Sequence, residues 1–181
     1  MGIYGDSLAV ISYNHTFSNP AVYSERDSLY GTPIWPTAIF DGTDQVFEQD
    51  PNAFITTYTS YITAAKADTP RYNLELVATA TASAGDIQIT IITTDTIPAG
   101  QMLAFAAICQ DSVRGNVKDF NYVCEELYRF PIELSFPDTL DTTITFSHVM
   151  PIDKIRAVVF VQNMDTKEVM HSATKQFEEA Q

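Results

Sequence analysis

The sequence predicts an α+β protein: a helix-containing segment over 1–66, then an antiparallel β-sandwich over 71–181. Two observations carry this prediction. Asn19-Pro20 and Asp50-Pro51 each set a capping side chain before a proline, as helix starts do, and both fall before Lys66. From Tyr72 the apolar period switches to two, and about seven strand-like runs follow, mostly without helix signals between them.

In chain order, Leu8 to Tyr13 is mostly apolar and reads as a strand. The helix opened by Asn19-Pro20 runs to about Tyr30, with Val22, Arg26, Leu29 and Tyr30 near helical spacing. Gly31 fits the left-handed position just past its end. Thr37 to Phe40 is a short apolar strand, Asp41-Gly42 a hairpin turn, and Gln45 to Glu48 its partner. After Asp50-Pro51, the spacing of Phe54, Tyr58, Tyr61, Ile62 and Ala65 makes one apolar helix face. Lys66 to Pro70 is a linker.

Leu74, Leu76, Ala78 and Ala80 then alternate with polar residues, as do Ile87, Ile89 and Ile91. Met102 to Cys109 and Val123 to Phe130 are nearly continuous apolar strands. Leu140 to Phe146 alternates again, Ile155 to Val161 is a strong strand, and Glu168 to Thr174 is the last.

The chain has 181 residues, 45% of them hydrophobic, enough for a real core. Ten Lys and Arg stand against 23 Asp and Glu, a net charge of -13. Such a chain repels phosphate backbones, so nucleic-acid partners are not expected. No apolar run approaches the ~20 residues of a membrane-spanning helix. Met1 to Asp6 has neither a basic start nor a long apolar stretch, so no signal peptide is expected there.

The order strand, Asn-Pro helix, Tyr30-Gly31, Pro36-Thr37, apolar strand with Phe40, Gly42, strand, helix resembles the C-terminal half of a thioredoxin fold. With the sandwich added, the chain is similar to the twenty-eight-kilodalton outer-membrane protein family. Val159 to Asn163 and Asp165 to Val169 match that family's pattern near its end. The resemblance implies an extracytoplasmic protein: outer-membrane, cell-surface or secreted. It also implies a cis Trp35–Pro36 bond, with Trp35, Pro36 and Thr37 on an edge that receives an extended protein or peptide segment.

Thioredoxin chemistry needs a thiolate of lowered pKa, usually in C-x-x-C at a helix start. This sequence has no C-x-x-C. In the family the strand carrying it lies between those matching Leu8–Tyr13 and Thr37–Phe40. The expected sheet therefore lacks its centre, which a second chain or an upstream segment would supply, the alternative being that the two flanking strands close up and pair directly. The expectation is a non-catalytic interaction module. A fragment of a thiol–disulfide oxidoreductase and a structural envelope protein are the alternatives.

Cys109 and Cys124 flank the loop Asp111 to Asn121. A tight turn at Gly115-Asn116 would leave them diagonal, ~7–8 Å apart at Cα and too far to bridge easily. A turn centred one residue later would set them face to face. They form either a disulfide or two buried free thiols. His15, His148 and His171 lack ligand spacing, so no metal is expected. The turn aspartates Asp41, Asp44, Asp111, Asp119, Asp138 and Asp141 follow no EF-hand pattern. Ser7, Ser12 and Ser172 lack an elbow glycine, and no phosphate loop is present. No cofactor and no catalytic residue are assigned.

Overall fold

A computed structural model describes residues 8–31, 37–116 and 118–180. Trp35 and Pro36 lie outside the described residues, and so does the bond expected to be cis.

Helix α1 (Pro20–Tyr30) begins where the Asn19 side chain accepts the Ala21 amide at 3.0 Å. It ends where Gly31, at φ 59°, donates its amide to the Asp27 carbonyl at 2.7 Å. Strands β1 (Ala38–Phe40) and β2 (Asp44–Val46) form a hairpin. Asp41 and Gly42 both have positive φ, 46° and 78°, and the Thr43 amide donates to the Phe40 carbonyl. This is the Asp-Gly turn that matches strand twist. Helix α2 (Pro51–Ala65) is capped by Asp50, and its Tyr58 and Tyr61 rings pack on Phe40, with centroids 5.2 and 5.1 Å away. Phe54 departs from the expected face. It leans on Tyr58 and stays 44% exposed, because three-residue β1 offers α2 one aromatic ring already taken.

The sandwich is built from β3 (Tyr72–Ala80), β4 (Ala84–Thr93), β5 (Met102–Gln110), the ribbon β6 (Val113–Arg114) and β7 (Asp119–Phe120), β8 (Val123–Pro131), β9 (Thr139–Ser147), β10 (Ile155–Asn163), β11 (Val169–Gln176) and β12 (Glu178–Glu179). One sheet has the order β11-β10-β5-β8 and the other β12-β3-β4-β9. The expected antiparallel sandwich is present. The β6–β7 ribbon and β12, too short to show a period, are additions. The core lies between the sheets, from Ile87, Ile89 and Ile91 on one to Ala104, Ile108 and Val159 on the other. At Phe177 the chain leaves the first sheet. It then pairs parallel with β3 through β12.

Every residue of β10 is buried. Alternation fails there because that sheet is covered on both faces, which selects a continuous apolar run. The inner face meets the other sheet. The outer face meets α1 and the segment leading into it. Ala9, Ile11, Tyr13 and Val22 pack there on Ala107, Cys109, Cys124 and Val158.

Leu8–Tyr13 is not the sheet strand expected from its composition. It is extended chain with one parallel bridge, Ser12 to Val123. The Ser12 amide donates to the Tyr122 carbonyl at 2.7 Å, and the Cys124 amide donates to the Ser12 carbonyl at 3.0 Å. Its alternating side chains pack flat on the sheet below, so this segment is held by burial rather than by a ladder.

Strand β8 carries a bulge. Ile108 pairs with Glu126 and Cys109 with Cys124, leaving Glu125 unpaired. The turn is centred one residue past Gly115-Asn116, with Val113 opposite Phe120. The two cysteines therefore face each other directly.

Candidate functional site

The outer face of the β11-β10-β5-β8 sheet carries two phenylalanines side by side. Phe105 and Phe160 are register partners, and their rings stack 4.9 Å apart at 10°. Above them α1 presents Arg26, one turn after Val22 and one before Tyr30. Arg26 is 2% exposed. Its guanidinium lies over the rings of Phe105 (4.9 Å), Tyr30 (5.0 Å), Phe160 (5.5 Å) and Tyr13 (5.6 Å). Nη2 donates to the Tyr30 hydroxyl at 2.8 Å and to Gln162 Oε1 at 3.0 Å. Nε has no acceptor.

No carboxylate among the described residues pairs with Arg26, although the chain holds 23. The other buried arginine, Arg156, has Asp111 at 4.0 Å. A buried charge costs several kcal/mol even after relaxation. Cation–π contacts return ~0.5–2 kcal/mol each, and hydrogen bonds to neutral groups ~0.5–1.5 kcal/mol each. These sums roughly balance, leaving an electropositive spot that an added carboxylate would stabilise.

Gln162 fixes this spot in place. It is fully buried, and its Nε2 donates to the Tyr30 hydroxyl at 2.9 Å and the Lys167 carbonyl at 2.5 Å. The Lys167 carbonyl in turn abuts Gly42. A Cβ at Gly42 would collide with it, and the φ of 78° already favours glycine. Asp41 accepts the Val169 amide through its carbonyl at 2.8 Å. The turn of the β1–β2 hairpin is thus seated on the β10–β11 connection, and α1 reaches the same connection through Gln162.

Between these parts lies a cavity of about 730 Å³. Leu8 to His15 form one wall and Thr37 to Gly42 another, with Arg26, Phe160 and Val158 beneath and Tyr58 and Ile62 from α2. Two backbone stretches open onto it. Ala9 to Ile11 make no backbone hydrogen bond among the described residues. Among the described residues strand β1 pairs with β2 alone, on one edge. The two stretches are not paired with each other.

The polar groups of the cavity are sparse. The Tyr13 hydroxyl is buried without a hydrogen-bond partner. Burial pushes its pKa well up, opposed by the Arg26 charge. Asp27, Asp41 and His15 also line the space. Partial desolvation raises the Asp41 carboxyl, and Asp68, Asp44 and Glu168 add to it.

Of the residues expected to bind, Thr37 lines this cavity and is half-buried. Cys109 and Cys124 lie elsewhere on the same sheet face, beneath Ala9 and Ile11. They are free thiols in the structure, both fully buried. The Cys109 pKa is pushed well up, first by its hydrogen bond with Cys124 and then by burial. That is the reverse of an activated thiol. Among the described residues no cluster of His, Cys, Asp and Glu could hold a metal. Among the described residues no helix is long and apolar enough to cross a membrane.

Arg26, Tyr13 and Gln162 were missed as site residues. The available signal was a cation on the apolar face of α1, and a glutamine inside the apolar run of β10.

No family model matches the chain, and no curated protein does. The structure is similar to that of HBP35 of Porphyromonas gingivalis, at 10% identity and a TM-score of 0.70, covering 87% of this chain and 57% of that one. This chain therefore spans a little over half of that protein's solved length. A domain of the outer membrane lipoprotein Omp28 from Porphyromonas gingivalis aligns at 16% identity over 63% of this chain and 93% of that one, with a TM-score of only 0.39. The first of these likenesses supports the fold.

Proposed function

We propose that this protein is a non-catalytic, extracytoplasmic interaction module that receives an extended segment of another polypeptide in the cavity between Leu8–Tyr13 and β1. One observation carries the reading: two stretches of backbone that are unpaired among the described residues open onto the same cavity. Unpaired edges of this kind accept a strand from elsewhere, with main-chain hydrogen bonds giving affinity and side-chain pockets giving selectivity. In the thioredoxin fold that the sequence of this region resembles, the segments matching Leu8–Tyr13 and β1 flank the central strand, which supports the reading. The donor is a second chain or an upstream segment of the same precursor. The extracytoplasmic assignment rests on the resemblance of Val159–Asn163 and Asp165–Val169 to the twenty-eight-kilodalton outer-membrane family.

The non-catalytic part of the reading is supported by the two buried thiols. Thiol exchange needs an exposed thiolate, and Cys109 is neither exposed nor ionised near neutral pH. The chain should not accelerate insulin reduction by dithiothreitol. Turnover that vanishes in Cys109→Ser would defeat this part.

Amide hydrogen exchange tests the acceptor. In the isolated chain the amides of Ala9, Val10 and Ile11 should exchange orders of magnitude faster than those of β5 and β10, and slow when a strand-donating peptide is bound. Core-like protection of these amides in the monomer would show that the edge is already satisfied.

A further inference from the structure

We propose that the segment received in this cavity carries one inward-facing carboxylate, which docks on Arg26. The inference rests on the strand-accepting reading above and adds its chemistry.

Three observations converge. Arg26 is 98% buried (2% exposed), lines the cavity, and keeps Nε without an acceptor. Both hydrogen bonds it does make go to neutral oxygens, those of Tyr30 and Gln162. Tyr13, whose ring centroid is 5.6 Å from the guanidinium, lines the same cavity, and its hydroxyl is also unpartnered among the described residues, a second donor. A carboxylate has two oxygens and accepts from a guanidinium and a phenol together.

The rest of the lining restricts where that charge can sit. Asp27 and Asp41 also line the cavity, and their carboxylates repel acidic residues placed near them. Val158, Phe160, Ile39 and Ile62 favour apolar neighbours. The preferred occupant is thus an apolar strand with a single Glu or Asp on its inward side. An acidic tract is disfavoured. One charge at one place also fixes register, which main-chain pairing alone leaves free to slip.

The test is binding of immobilised, end-blocked nonapeptides with valines alternating about a randomised central position. The full chain should retain peptides with Glu or Asp at the centre, and the Glu peptide should bind at least about tenfold tighter than its Gln counterpart. Lowering the pH through the glutamate pKa of the peptide should bring the two affinities together. Arg26→Met should abolish the difference while still retaining apolar strands. The pH arm needs no variant, so it stands if Arg26→Met does not fold. Retention with no acidic preference overturns this inference and leaves the acceptor reading intact. Retention of no peptide at all overturns both. A Glu preference that persists in Arg26→Met places the charge contact elsewhere and also overturns it. Acetate at the same concentration should not compete, since the strand rather than the anion supplies most of the contact. Competition by acetate would show a small-anion site instead.

Discussion

The two faces of the β11-β10-β5-β8 sheet are made by the same strands and solved differently. Inward from β5 and β10, alternate residues such as Ala104, Ile108 and Val159 meet a second sheet, and the contact is wholly apolar. Outward, the same strands offer Phe105, Cys109, Phe160 and Gln162 to one helix and an extended segment. The inner interface satisfies itself. The outer one leaves a cavity and, among the described residues, an uncompensated cation and unpaired backbone. Stability is concentrated on one side of a sheet about one residue thick, and the capacity to bind on the other.

Four changes test this division, from the largest effect to the smallest. Ile89→Ala empties a site that is 1% exposed at the centre of the inner face, and should cost about 2–5 kcal/mol in urea unfolding. A loss under 1 kcal/mol would mean that the inner face does not dominate stability. Gly42→Ala forces a side chain against the Lys167 carbonyl at a φ of 78°, and should cost about 1–3 kcal/mol. Its exchange signature should be local: faster amides in β1, β2 and at Val169, with β3 to β5 unchanged. Uniform loosening would show that hairpin and sandwich are one cooperative unit.

Alkali should loosen the outer face, and the raised pKa values of inner-face Tyr72 and Tyr128 add to the loss. Cys109 and Tyr13 both have raised pKa values, so the fold favours their neutral forms. The stability this contributes is fully present below the unfolded values, near 9.0 and 10.0, and is lost as pH climbs through the higher folded ones. Stability to urea should therefore fall as the pH is raised above about 9, and stability unchanged from about pH 8 to about pH 11 would contradict this. The smallest effect is chemical. In the folded chain a thiol reagent should react with neither cysteine on a scale of minutes, and denaturation should release two thiols. None released would show that Cys109 and Cys124 had joined, which their direct register permits.

How much of this was legible depended on how local the cause was. Asn19, Asp50, Gly31 and Asp41-Gly42 act within a few residues, and each did what its chemistry prescribes. Most of the seven long sandwich strands announced themselves by period two, or by continuous apolarity where two faces are covered, whereas in β8 the bulge breaks the alternation. Leu8–Tyr13 did not, because composition says that a segment is apolar and extended but not whether a neighbour is present to pair with it. Arg26 was visible only as an odd member of a helical stripe. One of its rings, Tyr30, is a turn away on the same helix, but the others come from positions 13, 105 and 160, which only the tertiary fold assembles.

The bulge at Glu125 works like a shift of reading frame. Ahead of it Cys124 faces outward, and beyond it the even-numbered Tyr128 and Phe130 face the core while Leu127 joins Cys124 outside. Alternation read straight through the strand would place one half correctly and invert the other. Deleting Glu125 would restore an unbroken frame in sequence and scramble the molecule in space. Either Tyr128 and Phe130 turn toward α1, or the thiols lose their register. A single inserted residue thus decides which of the strand's letters are spelled inward and which are shown to a partner.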